Sequence, residues 1–200
     1  GEFQVNVTTA RNQQAPAVAM HQDGDFVVVW QGEVAGDDKW DIYARRFDAN
    51  GIAKDVGEIA VNSVTDQTQQ APDVAMDANG RFTVVWQSKD LDYPDGEFGI
   101  FQRQFDADGN ALTTKQALVN SKVTRDQLAP AIAMQRDGDY VITWQSERQD
   151  NPDNSFGVYA QRYAADGSAS GSEFRVSTTT LKHQQAPAVA DMISDDLGFL

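Results

Sequence analysis

The chain contains no cysteine, which excludes disulfides and thiolate metal sites. Histidine is nearly absent too: His21 and His183 are the two in 200 residues, too far apart in the repeat described below to suggest a cluster. No apolar run approaches the roughly 20 residues that a membrane helix needs. Basic charge is scarce, with 16 Lys and Arg against 30 Asp and Glu and a formal net charge of −14. Such a chain repels phosphate backbones and anionic lipid, so neither nucleic acid nor membrane insertion is expected. No segment has a helical period. Gly-x-Ser-x-Gly, His-Glu-x-x-His and phosphate-cradling loops are all missing.

What the chain has in abundance is repetition. Gln13-Gln14-Ala15-Pro16 returns as Gln69-Gln70-Ala71-Pro72, Gln127-Leu128-Ala129-Pro130 and Gln184-Gln185-Ala186-Pro187, at steps of 56, 58 and 57 residues. Trp30-Gln31 returns as Trp86-Gln87 and Trp144-Gln145. A fixed period of this size marks stacked supersecondary units. With 40% apolar and 10% aromatic residues, the array has enough material for a core. The repeats run approximately over 2–57, 58–115, 116–172 and, in part, 173–200. The last segment breaks off within a repeat, which suggests a piece of something longer or a terminus completed by other strands.

Each repeat reads as four strands. The first follows a proline, as in Pro16-Ala17-Val18-Ala19-Met20. Asp23-Gly24, Asn79-Gly80 and Asp137-Gly138 then give the tight-turn signal of a hairpin. The second strand, Phe26 to Trp30 with counterparts Phe82 to Trp86 and Tyr140 to Trp144, is apolar and β-branched, as expected of a strand covered on both faces. The third, Ile42 to Phe47, alternates: Tyr43, Arg45 and Phe47 on one face, Ile42, Ala44 and Arg46 on the other. The fourth, Glu58 to Asn62, alternates as a half-solvated outer strand does. The fold class expected is all-β: a β-propeller-like array of four-stranded antiparallel blades, about 3.5 repeats long, closed by mixing its N- and C-terminal strands or by dimerisation. A β-sandwich is the structural alternative.

These phrases resemble a blade-type repeat of large secreted or surface proteins of bacteria, often placed beside hemolysin-type calcium-binding or cadherin-like modules. The resemblance covers residues 2 to 190 and departs at Asp191-Met192-Ile193-Ser194. It implies an extracellular setting and a binding or adhesive role, and it carries no catalytic motif.

The loop between second and third strands is acidic in every repeat. Asp37, Asp95 and Asp153 align, each followed three residues later by an aromatic: Trp40, Phe98 and Phe156. Calcium takes six to eight oxygens, mostly carboxylates and carbonyls on a turning backbone. The candidate ligands are Asp37, Asp38, Asp41, Asp92, Asp95, Glu97, Asp150 and Asp153; turn formation alone would also place acids there. Trp40, Phe98 and Phe156 are the candidate ligand-binding aromatics. Trp30, Trp86 and Trp144 suit blade-to-blade packing better than sugar stacking, and Gln13, Gln69 and Gln127 suit a buried amide tying backbone groups together. Arg45 and Arg103 are expected to stack or pair. No catalytic residue stands out, because symmetry-related acids fit repeated binding better than one active site. The functional expectation is therefore a non-catalytic binding and adhesion scaffold of a secreted bacterial protein, not an enzyme, calcium-stabilised, with a glycan or a protein surface as ligand. The alternatives are a spacer that pairs through blade edges into a homo-oligomer, and a carbohydrate-active enzyme using the rim carboxylates.

Overall fold

The computed structural model of the protein describes residues 1–36, 39–89, 97–149, 155–178 and 182–190. Twelve strands form three antiparallel four-stranded sheets in chain order. The first sheet holds β1 (Gln13–Met20), β2 (Phe26–Glu33), β3 (Trp40–Phe47) and β4 (Ile59–Ala60). The second holds β5 (Gln69–Met76), β6 (Phe82–Ser88), β7 (Gly99–Phe105) and β8 (Ala117–Leu118). The third holds β9 (Gln127–Met134), β10 (Tyr140–Glu147), β11 (Phe156–Tyr163) and β12 (Phe174–Arg175). The all-β repeat architecture expected from the sequence is what the chain adopts. No helix among the described residues is long and apolar enough to cross a membrane.

The sheets stack face to face, with β1, β5 and β9 in contact along the inner edge. Val27, Val29, Ile42 and Ala44 of the first sheet pack on Val74, Phe82, Val84 and Trp86 of the second. The other face of the second sheet, through Val85 and Ile100, packs on Ile132, Ile142 and Trp144 of the third. Coverage on both faces therefore holds fully for the middle sheet, where Phe82, Thr83, Val84, Val85 and Trp86 are all buried. It does not hold for the first. Val18 and Met20 are 59% and 67% exposed on the face that no preceding sheet covers. The apolar pattern of β2 predicts cover on both faces, and among the described residues only one neighbouring sheet packs on it.

The repeated residues make the stack. The Trp30, Trp86 and Trp144 indole N–H groups donate to Gln13, Gln69 and Gln127 at 2.8, 2.8 and 3.1 Å. Gln69 and Gln127 spend their amide N–H groups on the loop carbonyls of Val64 and Gln67, and of Arg125. The glutamine after each tryptophan works between sheets: Gln31, Gln87 and Gln145 accept from the backbone N–H of Ala71, Ala129 and Ala186 at 2.8 to 2.9 Å. Each of those alanines has φ of 51 to 53°, Ala71 and Ala129 at β-bulges, a left-handed conformation that costs an alanine about 1–2 kcal/mol. The Gln-x-Ala-Pro motif is thus an inner-strand bulge fastened to the preceding sheet. Arg45 and Arg103 lie over Phe47 and Phe105 at 5.5 and 5.7 Å, as expected.

The hairpin turns differ from the expected two-residue form. His21 N–H donates to Asp25 and Gly24 N–H to His21, so the loop is three residues with glycine alone in the left-handed region. That is a bulged hairpin, the next most common design. Gly138 repeats it at φ +96°, and a Cβ there would stand 2.9 Å from that of Ala165. Backbone and neighbour both oppose a side chain, so Gly138→Ala should lower stability by about 1–3 kcal/mol, read as a shift in denaturant midpoint.

Candidate functional site

The sheets have two ends, and the candidate features divide between them. At the β2–β3 end, six of the eight candidate calcium ligands (Asp37, Asp38, Asp92, Asp95, Asp150 and Asp153) lie outside the described residues. Asp41 is buried and accepts from Asn62 Nδ2 at 2.7 Å. Burial raises its pKa, and the Asn62 bond opposes that rise. Glu97 pairs with Arg125 at 3.5 Å through Oε1, while its Oε2 is buried without a hydrogen bond. No group of three or more acid or imidazole side chains able to hold a metal occurs among the described residues. Trp40, Phe98 and Phe156 occupy the same position in their three sheets, all half-buried. Trp40 pairs with Glu33, Phe98 carries the Lys89 ammonium 5.0 Å above its ring, and Phe156 lies 5.8 Å from the ring of His183. The structure keeps these aromatics on separate sheets.

At the opposite end, where the β1–β2 and β5–β6 turns meet the β3–β4 connection, lies a cleft of about 210 Å³ between first and second sheets. His21, Asp23, Asp25, Arg46, Lys54 and Asn79 line it over an apolar base that includes Phe26 and Met76. The equivalent junction between second and third sheets encloses only about 10 Å³. The cause is a change of charge within the repeat. In the closed junction, Arg81 and Gln104 both reach across to the carbonyl of Ala165, at 3.2 and 3.3 Å. In the open one, the counterpart of Arg81 is Asp25, held back within its own sheet by Lys54 at 2.5 Å. Arg46 spans the gap to the carbonyl of Ala107, with Asp55 paired to its guanidinium.

His21 fastens the cleft. Its Nδ1 lies 2.5 Å from Asp23 Oδ1 and its Nε2 lies 2.9 Å from the carbonyl of Ala78 on the second sheet. The Ala78 carbonyl, and then Asp23, raise the imidazole pKa above its ordinary 6.5. The same bond lowers that of Asp23. A raised folded-state pKa gives stability that is complete below the unfolded value and is lost as pH rises through the folded one. His21→Gln should therefore cost more stability at pH 5 than at pH 8, measured by urea midpoints at the two pH values.

A second departure from the repeat is Asp73. Among the described residues of the three inner strands it is the only charged one; Ala17 and Ala131 hold its place in β1 and β9. It is half-buried, its Oδ2 accepts from Ile132 N–H at 3.0 Å, and burial raises its pKa. His21 and Asp73 escape a reading that searches the repeat for what recurs. The signal that finds them is what fails to recur: His21 against Asp77 and Gln135, Asp25 against Arg81, Asp73 against alanine.

No protein-family model and no curated relative matches the sequence. Solved structures do match. The endo-arabinase of Bacteroides thetaiotaomicron superposes with a TM-score of 0.56 at 15% identity, over 88% of this chain and 66% of that one. The α-L-arabinanase of Penicillium chrysogenum, complexed with arabinobiose, gives 0.63 at 12% identity, over 88% and 54%. A Hadza microbial sialidase gives 0.53 at 12%, over 78% and 36%. The chain thus spans between 36% and 66% of the length of these proteins. At such identities the likeness shows a shared propeller-like fold. It also overturns two expectations, the non-catalytic adhesion scaffold and the absence of enzymatic activity. The matched structures carry the names of glycan-cleaving proteins, which favours the carbohydrate-active alternative over both.

Proposed function

We propose that this chain is part of a carbohydrate-active enzyme of the glycoside-hydrolase kind, with glycan as its substrate. The observation that carries the reading is the likeness of its three sheets to those of an endo-arabinase and an arabinanase. The asymmetry of the array agrees with it. Hydrolysis of a glycosidic bond needs one carboxyl held protonated and a second held ionised. Asp73, on an inner strand where its siblings carry alanine, is one such departure from the repeat, its two oxygens taking the Val74 and Ile132 N–H groups between second and third sheets. An extracellular setting suits a polymeric substrate that does not cross membranes.

The terminal segments support closure into a ring. Arg45 donates to the carbonyl of Val5 at 2.8 Å as Arg103 donates to that of Val61 at 2.9 Å, so the segment around Val5 takes the place of a preceding sheet's outer strand. Ala186 docks on Gln145 as an inner strand would. Calcium at the β2–β3 loops stays a separate proposal, tested by melting with and without chelator.

The test of function is reducing-sugar release from a panel of neutral polysaccharides (arabinan, xylan, mannan) and from sialosides. Release from at least one, abolished by heat denaturation, is the expected outcome. Inertness on every member would overturn the enzymatic reading.

A further inference from the structure

The cleft between the first two sheets is the largest difference between otherwise equivalent junctions. Nothing in the repeat itself requires it, since the second junction is filled to about 10 Å³ by the same backbone. Its volume, about 210 Å³, is below the roughly 300–1,000 Å³ of drug-sized sites and suits one sugar unit. Its charged groups are not equally engaged. Lys54 is paired with Asp25, and Arg46 with Asp55. Asp23 is different. Its Oδ1 takes the imidazole of His21 and the N–H of Asp25, while the side chain stays 63% exposed. Asn79, also exposed, lines the same cleft from the facing turn. A carboxylate and a carboxamide together supply two planar groups, acceptors and donors, for neighbouring hydroxyls. Phe26 and Met76 beneath them give an apolar face for ring C–H groups.

We propose that this cleft is a subsite for one unit of a neutral saccharide, its hydroxyls held by Asp23 and Asn79 across the sheet junction. The ligand class rests on the glycan reading above; the location and the preference for neutral sugar rest on the cleft. An acidic sugar is disfavoured, because both cations are already paired and Asp23 would repel its carboxylate.

The test is amide NMR on the intact chain, titrated with arabinobiose, xylobiose and glucuronate, with hydrolysis followed in the same samples. Arabinobiose or xylobiose should shift the Gly24 and Gly80 amides saturably in the millimolar range, near −4 kcal/mol. Glucuronate should leave them unmoved. Asp23→Ala with Asn79→Ala should weaken binding at least about tenfold, or 1.4 kcal/mol. Asp137→Ala, at the matching turn of the third sheet, should change nothing. No shift with either neutral sugar, equal shifts at Gly138, or stronger binding of glucuronate would each overturn the proposal. Release of sugar without cleft shifts would overturn the subsite alone; cleft shifts with no release from any member of the polysaccharide and sialoside panel would overturn the enzymatic reading alone.

Discussion

Trp86→Ala is expected to lower stability by about 3–5 kcal/mol, the range for truncating a fully buried tryptophan. In a domain of this length that corresponds to a fall of roughly 6–20 °C in melting temperature. Trp86 has no solvent exposure and sits in the middle sheet, packed in the core shared with the first. Its loss leaves a cavity and also strands the side-chain carbonyl of Gln69, buried and deprived of the indole N–H. That second effect is worth about 1–3 kcal/mol by itself and overlaps with the first, because the two residues form one unit. Trp86→Phe separates them: most of the packing remains while the hydrogen bond goes. Val18→Ala is the control; at 59% exposure it should shift the midpoint little. If Trp86→Ala were no worse than Val18→Ala, the covered middle sheet would be wrong.

Asp73→Ala is expected to lower stability near neutral pH by about 1–3 kcal/mol, the cost of leaving buried donors without their acceptor. The two oxygens of Asp73 take the Val74 and Ile132 N–H groups at 2.9 and 3.0 Å, and the second of these ties the second sheet to the third. The change should spare the fold, since Ala17 and Ala131 serve the same strand position in the neighbouring sheets. A carboxyl whose folded pKa is raised by burial favours the folded state as pH falls, and that contribution is lost as pH rises through the folded value. Asp73→Ala should therefore also remove an acid-side gain in stability, read as urea midpoints at pH 3 and pH 7. Midpoints equal to those of the parent chain at both pH values would remove Asp73 from this role.

The sequence disclosed the fold more fully than the site, for physical reasons. Period-two alternation in Ile42 to Phe47, glycine in the turns and the recurring Gln-x-Ala-Pro are all products of one repeated backbone, so they appear wherever that backbone appears. The roles of Gln13, Gln69 and Gln127 as buried amide ties were readable because a buried polar group must be satisfied. The bulge at Ala71 and Ala129 was not: an alanine at positive φ runs against its own propensity and is held there by a glutamine from another sheet. The turn type was misread because Asp-Gly serves both the two-residue primed turn and the three-residue bulged one. The open junction escaped the sequence for a different cause. Acids recurring between the second and third strands of each repeat, Asp37, Asp95 and Asp153, drew the reading towards symmetry. The open junction arises from single exchanges that break it, with Asp25 where the second sheet has Arg81.

The two sheet junctions are unequal, and the open one is the proposed sugar site. A crystal structure of the chain soaked with arabinobiose tests this most directly. Sugar density is expected between the first and second sheets, against Asp23 and Asn79, with the second–third junction closed. Density in both junctions alike, or only on the rim of Trp40, Phe98 and Phe156, would contradict it.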